Sequence, residues 1–289
     1  MSSTSFRCDL PWAVAPLGPV ESEAVDLYDR WLDCGSHAGM AYLEKYPEIR
    51  RDPRLLLEGA RSIICVAFPY YSSEPFSLPI ARYARGRDYH EVVREMLEEM
   101  TAEMPGLKRI CVDTAPLRER YWAARAGLGA IGRNNQLIVP GFGSYCFIGS
   151  VLTTEELAPR RFAPEGWDPC GDCTRCVHAC PGRVLHPDGR ALDAHGCLSY
   201  LTIEHRGPLP GPIPVLYGCD ACQTSCPHNQ AIPDTPIAAF RPSDALKSLR
   251  LEDIASMSQA DFSRTFRHSA IKRTKLTGLK RNYDQYLAK

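Results

Sequence analysis

The chain has 289 residues, 44% of them hydrophobic and 24% charged, with 34 basic side chains balancing 34 acidic ones. The length predicts about two domains at ~150 residues each, and the composition excludes a disordered or low-complexity protein. A net charge of zero provides no overall field for nucleic acid, so any such binding has to come from a local patch.

Residues 21–46 read as helical, because Ala24, Val25, Leu27, Tyr28, Trp31 and Leu32 recur at three- and four-residue steps until Gly35 and Gly39 interrupt them. Ser62–Phe68 is a short apolar run stopped by Pro69, the pattern of a buried strand. Tyr89–Met104 reads as a helix whose wet side carries Glu91, Arg94, Glu95, Glu98 and Glu99. Arg109–Val112 is a second strand and runs into Asp113-Thr114-Ala115-Pro116. Leu117–Ala126 reads as a helix opened by Pro116 and closed by Gly127. Leu137–Val139 and Tyr145–Leu152 complete the strands. This alternation predicts a mixed α/β unit over 1–165, with a proline-rich boundary at Pro159–Pro169. After Pro227 the chain turns polar and helical to Lys289, with a basic run near its end.

Eight of the thirteen cysteines lie between Cys170 and Cys226. Cys170, Cys173, Cys176 and Cys180 follow the C-x2-C-x2-C-x3-C-P spacing of bacterial ferredoxins, where the fourth cysteine serves the other cluster. Cys219, Cys222 and Cys226-Pro227 repeat that ending, and Cys197 stands alone between the halves. The spacing predicts two 4Fe–4S clusters with exchanged ligands: Cys170, Cys173, Cys176 and Cys226 on one, Cys180, Cys197, Cys219 and Cys222 on the other. Two four-cysteine zinc sites are the alternative, although a zinc knuckle has no use for a third cysteine at the next x2 step. A disulfide framework fits poorly. Met1–Leu10 has no apolar run, and no stretch nears the ~18 apolar residues of a membrane span. The expected setting is therefore the reducing cytoplasm, away from any membrane. Cys8, Cys34, Cys65, Cys111 and Cys146 read as small buried hydrophobes.

Two motifs mislead. Gly127-Leu-Gly129-Ala-Ile-Gly132 spells a dinucleotide fingerprint, but it follows a helix and leads to a strand, the reverse of what that site needs. Its glycines fit close backbone passage instead. Asp193-Ala-His195 begins a cobalt-histidine motif, D-x-H-x-x-G, yet Leu198 stands where glycine is required, so His195 reads as a loop residue. Asp113 sits at an element edge, where functional residues gather, though an aspartate near proline is also an ordinary turn former.

The block Cys197-Leu-Ser-Tyr-Leu-Thr-Ile-Glu204, together with Tyr217-Gly-Cys-Asp-Ala-Cys-Gln223, resembles the epoxyqueuosine reductase family. So do Arg54–Gly59, Ala81–His90, Val112–Pro116 and Ala124–Asn134, and the likeness spans residues 20–284. It implies an α+β protein: an N-terminal cobalamin-binding catalytic domain over 1–165, a ferredoxin-like two-cluster domain over 166–230, and a short helical basic tail over 231–289. It also implies reduction of the epoxide of epoxyqueuosine at the tRNA wobble position, with base-off cobalamin, two 4Fe–4S clusters and an external electron donor, in a monomer. Asp113 matches the family's proton donor over the corrin face, and Arg50 matches a cobalamin contact. Ser199 and Asp220 lie in segments that approach the corrin. Burial near the corrin is expected to raise the pKa of Asp113 and hold its proton near neutral pH. Family members usually carry a further helical-repeat segment that helps hold tRNA. This chain stops soon after Phe266–Asn282, leaving Lys272, Arg273, Lys275, Lys280 and Arg281 as the basic patch. The alternatives are a cobalamin-dependent reductase of a small molecule, such as an organohalide, and a ferredoxin-like electron carrier, under which the α/β unit has no purpose.

Overall fold

The computed structural model describes Phe6 and residues 8–288; most of the Met1–Leu10 reading, and Lys289, lie outside the described residues. The chain opens with a strand, β1 (Trp12–Pro16), and a helix, α1 (Ser22–Asp33). A one-turn helix α2 (Pro47–Arg51), the strand β2 (Ser62–Pro69) and helix α3 (Tyr89–Met100) follow. Next come β3 (Lys108–Cys111), α4 (Glu119–Arg125), the hairpin β4 (Ala130–Ile131) and β5 (Leu137–Ile138), and β6 (Cys146–Thr153). Four of these strands form one antiparallel sheet in the order β1-β2-β6-β3. Every residue of β2 is buried, because helices cover both faces of the sheet. Ile63, Cys65 and Ala67 pack with Trp122 and Ala123 of α4, while Ile64, Val66 and Phe68 pack with Val92, Val93 and Leu97 of α3. The period of two thus sends apolar side chains to both layers, which is why the strand reads as an unbroken apolar run. A methyl group on Gly149 of β6 would stand 2.6 Å from Val93, so α3 lies closer to the sheet than any side chain there allows.

The strands and helices expected from the sequence form at those places, the helices with shorter ends and the longer strands shifted by one residue at most. The first helix stops at Asp33 instead of reaching residue 46, since Gly35 turns the chain with φ +67°. β1 escaped the sequence reading: it is five residues long and ends in Pro16 at the sheet edge, which weakens its pattern.

After β6 the helical turns are short. α5 (Arg175–Ala179), α6 (Leu198–Ile203) and α7 (Ala221–Thr224) carry the cysteine-rich stretch. The tail folds as α8 (Asp244–Ser248), α9 (Leu251–Ser256), α10 (Gln259–Thr265) and α11 (Lys275–Leu287). Phe262, Phe266, Ile271 and Leu279 of the tail share one core with Ile80, Ala84, Leu216 and Tyr217. Phe240 instead closes the outer face of the sheet. Asn282, fully buried, donates from Nδ2 to the carbonyls of Thr202 and Leu216, 2.8 Å each, and ties α11 to α6.

Candidate active site

The sheet's edge strand β3 delivers Asp113 to the surface. This residue has φ +56°, the left-handed region that an aspartate tolerates better than most side chains. The bend turns its N–H toward Glu119 at the start of α4, whose Oε1 accepts at 2.8 Å. Its carboxylate oxygen Oδ2 accepts from the Tyr89 hydroxyl at 2.8 Å and faces His90 Nε2 at 3.1 Å. His90 Nδ1 in turn lies 2.7 Å from Asp88 Oδ1, so one imidazole bridges two carboxylates at the start of α3. Tyr89 is fixed by stacking on Phe147 of β6, ring centroids 4.3 Å apart.

The charges do not fall where the sequence reading put them. Burial does push the Asp113 carboxyl upward, but hydrogen bonds from His90 and Tyr89, and the charge of His90, outweigh it and hold the pKa below the ordinary range. Asp113 is therefore ionised at neutral pH, contrary to the expectation of a retained proton. The protons sit beside it. Burial lowers the His90 pKa, yet its bonds to Asp113 and Asp88 raise it to about 9. Glu119 is pushed up to about 8, by burial first and by the Asp113 charge second. Its other neighbour Arg120 donates to the Asn135 carbonyl. The Asp113 side chain keeps 59% of its surface accessible although protein atoms crowd it, which describes one wall of an open cleft.

Other groups that act near Asp113 come from both earlier and later in the chain. Burial, then the charge of Glu204, lifts the Tyr42 phenol to about 12, and Asp113, Arg50 and Arg273 act on the same hydroxyl. Arg50 lies on α2 and donates to the carbonyls of Lys45 (3.0 Å) and Tyr42 (3.1 Å), so it props the Tyr42 loop. Ser199 lies in the first turn of α6, and Glu204 closes that helix. Asp220, before α7, accepts from the backbone N–H of Arg82 at 2.8 Å through Oδ2. Its Oδ1 is buried without a partner, and burial raises its pKa despite Arg82 and Arg85 nearby. The sequence reading missed His90, Tyr89 and Glu119 as functional groups. The only signal was that His90 and Tyr89 sit in the block Ala81–His90; nothing local links them to Asp113.

The eight cysteines gather as two quartets. Cys170, Cys173, Cys176 and Cys226 line one cavity with Asn134, Arg133, Pro169 and His228. Burial and then the neighbouring thiols raise Cys176, and the same two causes act on Cys226. In the second quartet Cys219 rises to about 11 and Cys222 further, from burial and from Cys197 and Cys180. Cys222 also feels Cys176, so the quartets adjoin between α5 and α7. Four crowded thiols are a donor set that a bound cation would convert to thiolates. Among the described residues, no three His, Cys, Asp or Glu side chains converge tightly enough to hold a single metal ion.

The misleading motifs resolve on packing. A methyl on Gly129 would meet the Ile138 carbonyl at 2.1 Å, and one on Gly132 would lie 3.4 Å from Cys170 Sγ, so this segment passes close to β5 and to the first quartet. His195 is a loop residue with Nδ1 held 2.8 Å from Asp193 Oδ1. In the tail, Arg273 pairs with Glu204 at 2.8 Å, and Arg281 donates to the carbonyls of Leu201, His205 and Gly207. These two arginines serve the fold, while Lys272 and Lys275 are exposed.

Residues 50–114 match the family model described as Epoxyqueuosine reductase QueG, DUF1730, and residues 169–229 match the 4Fe-4S double cluster binding domain. The epoxyqueuosine reductase of Gloeobacter violaceus is 39% identical over 288 residues, covering 93% of this chain and 88% of its own length. A crystal structure of epoxyqueuosine reductase with a tRNA-Tyr epoxyqueuosine-modified stem loop superposes with TM-score 0.84 at 28% identity, over 96% of this chain and 76% of that one. The Bacillus subtilis enzyme, solved with its catalytic aspartate loop swung out of the active site, gives TM-score 0.83 at 28% identity, with the same coverage. No helix among the described residues is long and apolar enough to cross a membrane.

Proposed function

The chain belongs to the epoxyqueuosine reductase family, and from that premise we propose that it reduces the epoxide of epoxyqueuosine at the tRNA wobble position to queuosine. The observation that carries this reading is the Asp113 carboxylate, gripped by His90 and Tyr89 on the wall of an open cleft in a chain that also gathers two cysteine quartets. Removing the epoxide oxygen as water consumes two electrons and two protons and leaves a carbon–carbon double bond.

The cysteine quartets fit two 4Fe–4S clusters, with Cys170, Cys173, Cys176 and Cys226 on one and Cys180, Cys197, Cys219 and Cys222 on the other. Their spacing and the matched double-cluster domain support this assignment. The orphaned Oδ1 of Asp220 suits cobalamin, whose corrin is rimmed by amide groups that donate N–H. Asp220, Ser199 and the Tyr42 loop braced by Arg50 would hold it, base-off, with no histidine on cobalt. When bound, the clusters pass single electrons and the corrin gathers them for the epoxide.

The chain's own groups manage the protons. The imidazolium of His90 stores one beside Asp113 Oδ2, and Glu119 stores a second at the Asp113 backbone. Asp113 takes the His90 proton and delivers it to the leaving oxygen, so it acts as a relay and needs no raised pKa. The loop between β3 and α4, which bears Asp113, is the counterpart we assign to the mobile aspartate loop of the Bacillus subtilis enzyme. Two exposed lysines, Lys272 and Lys275, offer contacts to tRNA phosphates.

The test is turnover of epoxyqueuosine-containing tRNA by anaerobically reconstituted protein with cobalamin and a reductant. Conversion of the tRNA in preference to the free nucleoside is the expected result. Equal conversion of the free nucleoside points to a small-molecule reductase, and no corrin spectrum after cobalamin is added removes the cobalamin step.

A further inference from the structure

The segment Gly132–Gln136 runs alongside the first cysteine quartet. Asn134 is 2% exposed and lines the cavity together with Cys170, Cys173, Cys176 and Cys226. Its two amide ends are not equivalent. Oδ1 accepts from the backbone N–H of Gln136 at 3.2 Å, which fixes which end is oxygen. Nδ2 is buried and has no partner. Buried amide donors almost always have an acceptor, so an orphan beside a ligand cavity calls for one. The backbone supplies a related contact, since the Arg133 N–H points at Cys170 Sγ from 3.4 Å. The side chains are also close: a methyl on Gly132 would stand 3.0 Å from Asn134 Oδ1 and 3.4 Å from Cys170 Sγ.

We propose that the Asn134 side-chain amide donates an N–H···S hydrogen bond to the cluster held by this quartet, and that it sets that cluster's reduction potential above what the four thiolates alone would give. The inference rests on the cluster assignment proposed above. Reduction adds negative charge to the sulfurs, so a donor aimed at them stabilises the reduced form more than the oxidised one. No titrating group is needed, and the amide stays neutral throughout.

The experiment is a redox titration of the reconstituted protein followed by electron paramagnetic resonance, comparing the parent with Asn134→Leu and Asn134→Asp. Leucine removes both amide ends at similar size and adds no charge; aspartate keeps the acceptor for Gln136, removes the donor and, when ionised, adds a negative charge that moves the potential the same way. The expected result is that both variants hold the parent's iron and sulfide, and that one of the two reduction steps becomes about tenfold less favourable, the worth of one hydrogen bond to a charged acceptor. That corresponds to about 59 mV for one electron. The other step stays in place. Unmoved potentials in variants that hold both clusters overturn the proposal, as does loss of the first cluster in both, which makes Asn134 a purely structural support. Absence of two clusters in the parent overturns the cluster assignment itself.

Discussion

The cysteine quartets and the Asp113 cleft are built on opposite principles. The quartets are written in spacing: seven of the eight cysteines lie within two short runs, and local turns gather them. The cleft is written in topology. Asp88, Tyr89 and His90 begin one helix, Asp113 ends an edge strand, Glu119 begins another helix, and Tyr42 and Glu204 arrive from far apart in the chain. A region of the first kind loses its ligand when one cysteine changes. A region of the second kind keeps its shape and loses its charge pattern.

The sharpest test of that contrast is Cys222→Ala. Cys222 is the thiol that feels both quartets, so iron should fall from about eight to about four per chain and turnover should vanish. Retention of full iron would break the assignment of the second quartet. Asp113→Asn should keep both clusters and cost roughly 10²–10⁴ in turnover, the usual worth of a placed proton-transfer group. Near-normal rates in that variant would take Asp113 out of the chemistry.

A third change probes the join between tail and cluster region. Asn282→Ala leaves the Leu216 carbonyl buried and unpaired, while the Thr202 carbonyl keeps the Thr274 hydroxyl, and should lower stability by roughly 1–3 kcal/mol in denaturant unfolding of the reconstituted protein. A loss under 1 kcal/mol would mean the tail is not held there.

The smallest effect is on pH. The folded pKa of His90 is raised from 6.5 to about 9, so its contribution to stability is complete below 6.5 and lost as pH rises through 9. Glu119, raised from 4.5 to about 8, works in the same direction: the folded state keeps a proton that the unfolded chain gives up, and stability falls as pH climbs through 8. Thermal unfolding should therefore soften from pH 6 to pH 9, and Glu119→Gln should flatten part of that slope. A slope identical to the parent's would place the proton elsewhere.

Legibility followed the same division. The grouping of Cys226 with Cys170, Cys173 and Cys176 could be read from ferredoxin spacing, because residues gathered by local turns leave a local signature; Cys197, an orphan by spacing, needed the family resemblance of the block it opens. Strand β2 was legible for a similar reason: burial on both faces leaves no polar residue in the run after Ser62. Asp113 was legible as a place, at the end of a strand, but its charge was not. Desolvation was foreseeable from burial; the two donors that overrule it come from a helix start more than twenty residues earlier. The basic tail misled because a sequence shows charge and not what the charge touches, and Arg273 and Arg281 are spent on Glu204 and on three carbonyls.

Phe240, which closes the outer face of the sheet, has a kinetic consequence. Thr235 reinforces the same closure by donating its hydroxyl to the Pro69 carbonyl at 2.6 Å, a contact spanning 166 residues. A growing chain reaches these residues only after all eight quartet cysteines have been synthesised. The first layer to be made is thus among the last to be sealed. Contacts of such long sequence separation slow folding, and here the separation encloses the whole metal-binding stretch. Protein prepared without iron should be cleaved faster than reconstituted protein in limited proteolysis, and equal rates would show that the seal forms without the metal-binding stretch being filled.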